Sequence, residues 1–115
     1  MPDPLAHLRV TLSEEAYIGP GRADLLQGIA DTGSISEAAK RMGMSYKRAW
    51  SLVQALNAGF GGALVQTVRG GSGQGGASLT PLGEEVLRRY RHMQDAARLA
   101  IAPDVAALRA LLNAR

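Results

Sequence analysis

Two amphipathic helical segments separated by a two-residue break constrain this chain more than any other feature. They lie in "SISEAAKRMGMSYKRAWSLVQAL", Ser34 to Leu56. Ser34 with Glu37 three residues later has the capping-box spacing, in which the serine oxygen and the glutamate side chain satisfy each other's free backbone N–H groups. Ile35, Ala38, Ala39 and Met42 share one face, and Gly43 is placed to end the helix. Only Met44 then precedes Ser45, a good N-cap for a second helix predicted from about Tyr46 to Ala58. Spacing turns Ala49, Val53 and Leu56 inward and leaves Lys47, Arg48, Ser51 and Gln54 largely outward. Small alanines in the first helix permit a close crossing. This is the pattern of a helix-turn-helix whose second helix opens with a polar, basic turn. A plain αα-hairpin has the same periodicity, so the spacing leaves both open.

The flanking segments narrow the choice. Upstream, Leu8, Val10 and Leu12 alternate with Arg9, Thr11 and Ser13, which predicts a short strand. "YIGPGR" breaks the chain, and a helix follows from about Arg22 to Thr32, with Leu25, Leu26 and Ile29 on one stripe and Gly33 as its stop. Downstream, "ALVQTVR" (Ala63 to Arg69) reads as a strand. The glycine-rich stretch "GGSGQGG" comes next, then a short extended "ASL", Ala77 to Leu79. Thr80 and Pro81 supply an N-cap and an N1 proline for a long helix reaching about Ala102. A last short helix is expected from about Pro103 to Leu112.

Gly71, Gly73 and Gly76 satisfy G-x-G-x-x-G, but a dinucleotide site needs the strand to run through the glycines directly into a helix, followed by an acidic residue at the end of a second strand. Here "ASLTP" intervenes and Asp95 falls within a helix. No G-x-x-x-x-G-K-[ST] motif occurs either. A linker fits poorly because regular structure flanks the glycines on both sides. The stretch therefore reads as the tip of a wing formed by Gly70, Gly71, Ser72, Gly73, Gln74, Gly75 and Gly76. The expected fold is mainly α with a small β-hairpin wing, a winged helix-turn-helix with a long C-terminal helix. Residues 1–80 form the core, and residues 81–115 the C-terminal helices.

Composition excludes several other classes. With 46% hydrophobic and 20% charged residues the chain is an ordinary globular one. It has no cysteine, which removes disulfides, thiolate metal sites and a cysteine nucleophile. His7 and His92 form no H-x-x-x-H pair, so no metal and no cofactor is expected. No signal peptide or membrane-length apolar run occurs, so a cytoplasmic location is expected, with no membrane partner. The net charge of +3 is unevenly distributed. Residues 1–39 hold two basic and six acidic groups, whereas residues 40–91 hold eight basic groups against Glu84 and Glu85. A basic middle points to a polyanionic partner or to a plain solvated face.

"GSISEAAKRMGMSYKRAW", the glycine wing and "LTPLGEEVLRRY" together resemble the N-terminal DNA-binding domain of the ModE family of molybdate-responsive transcription regulators, a winged helix-turn-helix related to that of LysR-type regulators. The likeness spans roughly residues 5 to 102, and "SYKRAW" is its sharpest marker. The resemblance implies that the second helix of the pair enters the major groove of double-stranded DNA and that the wing meets the flanking backbone. Carried over, it places Ser45, Tyr46, Lys47, Arg48 and Ser51 on the DNA, with Arg69 and the glycine tip nearby. The wing has no Lys or Arg among its glycines, unlike a strong phosphate clamp. Full-length relatives continue into molybdate-binding modules, whereas this sequence ends at Arg115. The expectation is a regulator without a built-in oxyanion sensor, whose DNA binding is constitutive or set by abundance, by a partner protein or by a separate effector-binding protein.

Lys47 and Arg48 suit DNA by displacing counterions, and arginine can read guanine O6 and N7 through two hydrogen bonds. Ser45 and the N–H groups of its helix can meet a phosphate. Tyr46 can bond a phosphate or pack within the protein, and Trp50 reads as an anchor at the edge of the core. Arg88, Arg89 and Arg91 read as a solvated face. Leu82, Val86, Tyr90, Met93, Ala97 and Ile101 recur every three or four residues along the last long helix. They are the expected dimerisation seam, the alternative being that the helix folds back on its own domain at Pro103. Two rival functions remain beside a dimeric regulator: a winged helix used for protein contacts, and a small nucleotide-binding enzyme. The latter has no nucleophile–base pair or acidic dyad to support it.

Overall fold

The computed structural model describes residues 2–69 and 75–113. A two-residue ladder opens the fold, β1 (Val10–Thr11) pairing antiparallel with β2 (Tyr17–Ile18). The second strand is a correction, since Tyr17 and Ile18 were expected to lie in a break. The turn between them contains neither glycine nor proline. The N–H groups of Leu12 and Ser13 both donate to the Ala16 carbonyl, and Ser13 Oγ accepts the Ala16 N–H at 3.2 Å. The serine side chain thus does what a turn glycine usually signals.

Three helices follow: α1 (Pro20–Thr32), α2 (Ile35–Arg41) and α3 (Tyr46–Gly59). Pro20 at N1 starts α1 two residues earlier than expected. Gly33, at φ 71°, closes it with its N–H on the Ile29 carbonyl. Ser34 caps α2 by accepting the Glu37 N–H at 3.1 Å. The reciprocal half of the capping box is not made. The Ser34 N–H goes to Thr32 Oγ1 at 3.2 Å, and the Glu37 carboxylate pairs with Lys40 instead. Gly43, at φ 66°, makes the turn into α3. The α1–α2 crossing is close enough that a Cβ added at Gly28 would lie 2.9 Å from that of Ala38. Glycine on one helix and alanine on the other are what this approach requires. Leu25, Leu26 and Ile29 of α1 meet Ala49, Val53 and Leu56 of α3 in the core.

The wing strands β3 (Val65–Arg69) and β4 (Gly75–Leu79) pair antiparallel from Val65↔Leu79 to Arg69↔Gly75. That ladder makes the glycine stretch a hairpin and removes the linker and nucleotide-loop readings. Gly70, Gly71, Ser72, Gly73 and Gln74 lie outside the described residues, while Gly75 and Gly76 belong to β4.

The base of the wing is held by Asn57, which the sequence did not single out. Its Oδ1 accepts from the N–H groups of Leu64 (2.9 Å) and Val65 (3.0 Å), and its Nδ2 donates to the Val65 carbonyl at 3.1 Å. One side chain from α3 thereby fixes where the wing leaves the core. Asn57→Ala is expected to cost about 2–3 kcal/mol, from three lost bonds at about 1 kcal/mol each. Denaturant unfolding and amide exchange at Leu64 and Val65 check this, and an unchanged midpoint with unchanged exchange counts against it.

The last helix, α4, runs unbroken from Pro81 to Leu112, with Pro103 inside it. The short separate helix and the turn at Pro103 are therefore corrected. Proline removes one helical bond, but alanine and leucine dominate both sides of it, and both favour helix. The N-terminal segment braces the helix across the proline. Arg98 Nη2 pairs with Asp3 at 2.9 Å before it, and Arg109 Nη2 donates to the Pro2 carbonyl at 3.0 Å after it. The Arg98 guanidinium, aided by the Leu5 N–H, holds the Asp3 carboxyl down to about 2. Thr80 caps α4 by accepting the Gly83 N–H, and its own hydroxyl donates to the Ala63 carbonyl at 2.7 Å.

At 32 residues α4 is about 48 Å long, in a molecule of 65 × 28 × 21 Å. Its buried residues are Gly83, Leu87, Tyr90 and Gln94, all in the first half. The rest extends past the core. Among the described residues no helix is long and apolar enough to cross a membrane, and no group of three or more His, Cys, Asp or Glu side chains is gathered to hold a metal ion.

Candidate nucleic-acid interface

Helix α3 presents one face to the core and one to solvent, and its sequence sets the division. Ala49, Val53 and Leu56 are buried, so the opposite face carries Lys47, Ser51 and Gln54, all exposed. Ser45 Oγ accepts the Arg48 N–H at 3.1 Å. This fixes the helix start while leaving the hydroxyl hydrogen free to donate outward. No acidic residue stands in the first turn, so the positive end of the helix dipole is not neutralised locally.

Two flanks border that open face. On one, Tyr46 and Trp50 stand a turn apart, 55% and 41% exposed, beside the wing. With Ser36, Thr67 and Val68 they line an open cleft of about 510 Å³ between α2, α3 and the wing strands. Trp50 is thus partly exposed at the edge of the core, with one side of its ring open to the cleft. Its place on the helix is one turn from Tyr46, and that i, i+4 spacing was legible, although its exposure was not. On the other flank Arg48 faces a smaller pocket shared with Arg9 and Arg22.

Charge pairing separates the arginines by role. Arg88 and Arg89 both pair with Glu85, Arg91 with Asp24 at 3.1 Å, and Arg41 with Asp31 at 3.3 Å. The expected solvated face of α4 holds for Arg88 and Arg89, which stay largely exposed while ion-paired. Among the described residues, by contrast, Arg9, Arg22, Lys47 and Arg48 have no carboxylate within 4.0 Å. These four free cations come from the residue before β1, from α1 and from α3. The acidic balance of residues 1–39 concealed two of them, because sequence position does not report which surface a side chain joins.

Of the other expected site residues, Arg69 ends β3 opposite Gly75. In the expected seam on α4, Leu82 is 37% exposed and Val86 and Met93 pack partly on the domain's own core. Ala97 and Ile101 are half-buried. Tyr90 is fully buried and donates its hydroxyl to the Leu8 carbonyl at 2.7 Å. It is committed to its own domain and faces no second copy.

The bacterial regulatory helix-turn-helix family of lysR type matches residues 22–84, from the first turn of α1 to the first turn of α4. The chain belongs to the lysR family of regulatory helix-turn-helix proteins. The match covers the helix pair and the wing, and leaves β1 and β2 outside it. The chain is similar to the DNA-binding transcriptional dual regulator ModE of Escherichia coli (strain K12), 40% identical over 83 residues, 72% of this chain and 32% of that protein. It is 49% identical over 70 residues to the molybdenum transport protein ModE of Herbaspirillum seropedicae, 61% of this chain and 26% of that protein. The ModE resemblance carried by "SYKRAW", the wing and the "LT" start of α4 is borne out by these relatives. The chain spans only about a quarter to a third of their length. Among solved structures, the CbnR DNA-binding domain in its complex with DNA superposes with a TM-score of 0.60 at 26% identity, covering 76% of this chain and 95% of that one.

Proposed function

We propose that this protein is a sequence-specific transcription regulator that binds double-stranded DNA as a homodimer. In this reading α3 lies in the major groove, where Lys47 and Arg48 meet phosphates and base edges and Ser51 and Gln54 face the bases. Ser45 and the first N–H groups of α3 meet a phosphate, Tyr46 and Trp50 occupy the side toward the wing, and the wing with Arg69 follows the neighbouring backbone. The observation that carries the reading is the open face of α3: polar, cationic and without carboxylate partners, on a helix-turn-helix. The core of a protein-contact patch is depleted of charged residues, whereas this face carries Lys47 with Arg48 at its edge, both exposed. The names of the relatives add support for DNA and for regulation linked to molybdenum. The reading assigns no enzymatic step and a cytoplasmic setting.

Dimerisation is proposed through α4. Its inward stripe of Leu87, Tyr90 and Gln94 continues through Ala97, Ile101, Val105, Leu108 and Leu112 beyond the end of the domain. A stripe that outlasts its own core needs another surface, and a second α4 has the matching one. Paired domains also gain from half-sites spaced about one helical turn apart.

Duplexes captured from a random pool over repeated rounds test the proposal. Convergence on a two-fold symmetric sequence is expected, bound at least about a thousandfold more tightly than random duplex and with an affinity that falls steeply and linearly on a log–log plot against salt. A pool that stays random, with salt-insensitive retention, would defeat it.

A further inference from the structure

On the flank of α3 away from the wing lies a pocket of about 250 Å³, lined by Arg9, Arg22, Arg48, His7, Tyr17 and the glycine-bounded start of α1. The guanidinium carbons of Arg9 and Arg22 each lie 3.6 Å from the centroid of the same Tyr17 ring. Two planar cations at that height on one face would overlap, so they take opposite faces and sandwich the ring. Cation–π attraction holds each in place without neutralising either charge. Arg22 donates Nη1 to the Tyr17 carbonyl at 3.3 Å and leaves its buried Nε without a partner. Helix α1 starts at Gly19 with no side-chain cap and no acidic residue in its first turn. Its early N–H groups therefore add positive potential to the same corner.

Three arginines and an uncapped helix start repel one another. No carboxylate among the described residues lies within 4.0 Å of these three arginines, whereas Arg88, Arg89, Arg91 and Arg98 of α4 are ion-paired. Such an arrangement is stable beside an anion and costly without one. The shape and charge fit a tetrahedral phosphate oxyanion, for which guanidinium groups and helix N–H groups are matched donors.

We propose that this pocket grips a backbone phosphodiester of the DNA strand on the far side of the major groove from the wing. Arg48 gives the reason for choosing DNA over a free phosphate: it lines the pocket and also stands in the first turn of the groove-facing helix. A helix seated in the major groove has a phosphate backbone along each side. The wing lies against one, and the Arg9–Tyr17–Arg22 stack is placed against the other. Arg9 and Tyr17 come from the β1–β2 hairpin, which precedes the residues matched by the lysR family.

The inference rests on the duplex-binding reading above, and its test separates the two. On a captured duplex, Arg9→Gln is expected to weaken binding about tenfold, equally for specific and random sequence, and to lower the salt slope by about one. Arg9→Lys should restore most of the slope, because it keeps the charge. Among the described residues Arg9 makes no side-chain hydrogen bond, so its replacement leaves the fold in place, as a melting curve verifies. Phosphate ethylation interference should map protected phosphates on both sides of the groove for the wild type, and lose only those away from the wing in Arg9→Gln. Wild-type binding with an Arg9→Gln variant of equal affinity, slope and footprint would overturn the clamp while leaving the duplex reading intact. A wild type that binds no duplex overturns both. Inorganic phosphate titrated at constant ionic strength, followed by the arginine side-chain NMR signals, distinguishes the source. Saturable binding of phosphate with an unchanged ethylation pattern would assign the pocket to a free oxyanion and overturn the proposal.

Discussion

Replacing Lys47 and Arg48 together with alanine is expected to weaken binding to a captured duplex by at least about a hundredfold near physiological salt, and to flatten the salt slope by about two. The magnitude comes from two sources. Each cation that neutralises a phosphate contributes about 0.9 to the slope, and an arginine reading guanine adds roughly 1–3 kcal/mol of discrimination. The double variant therefore loses specificity as well as affinity, unlike a change at Arg9, whose effect is uniform across sequences. Both side chains are exposed and unpaired among the described residues. Ser45 caps α3 through the backbone of Arg48 rather than its side chain, so the helix start survives the substitution. Thermal melting should match the wild type, a necessary control because a misfolded variant would also fail to bind. Equal gel shifts by the two proteins at about 50 and 200 mM salt, the range over which counterion release is large, would remove α3 from the interface.

The second large effect is expected at α4. Ile101→Asp with Leu108→Asp should convert a homodimer into folded monomers and shorten the footprint from two half-sites to one. Leu108 is 63% exposed and Leu112 82%, on a stripe that is continuous with Leu87 and Tyr90 but lies beyond the domain. Two such stripes packed together bury these leucines, and a carboxylate at the centre of that seam is left without a partner, which costs several kcal/mol. Met93 is a poor place for the same change because it packs against the domain's own core. Aspartate there would unfold the monomer and confuse the readout. Sedimentation at micromolar concentration supplies the check. A wild type that already sediments as a monomer, bound over one half-site, contradicts the dimer.

The features legible in the sequence are those that depend on neighbours along the chain. Ser34, Ser45 and Thr80 were each readable as N-caps, and each accepts the backbone N–H three residues ahead. Gly33 and Gly43 were readable as helix stops, and both adopt positive φ. The burial of Ala49, Val53 and Leu56 followed from 3.6-residue spacing, and the hairpin from a β-branched run against glycines. Local bonding and periodicity are properties of a few consecutive residues, so they survive without knowledge of the fold. Tertiary structure decided the rest. Helix α4 continues through Pro103, and Pro2 and Asp3, from the far end of the chain, contact it on both sides of that proline. Asn57 gained its three bonds only when the wing base folded against α3. Arg9 and Arg22, embedded in an acidic stretch, joined Arg48 because a Ser13-anchored turn brings Tyr17 between them. Pairing energies of this kind depend on distance in space, and folding sets those distances.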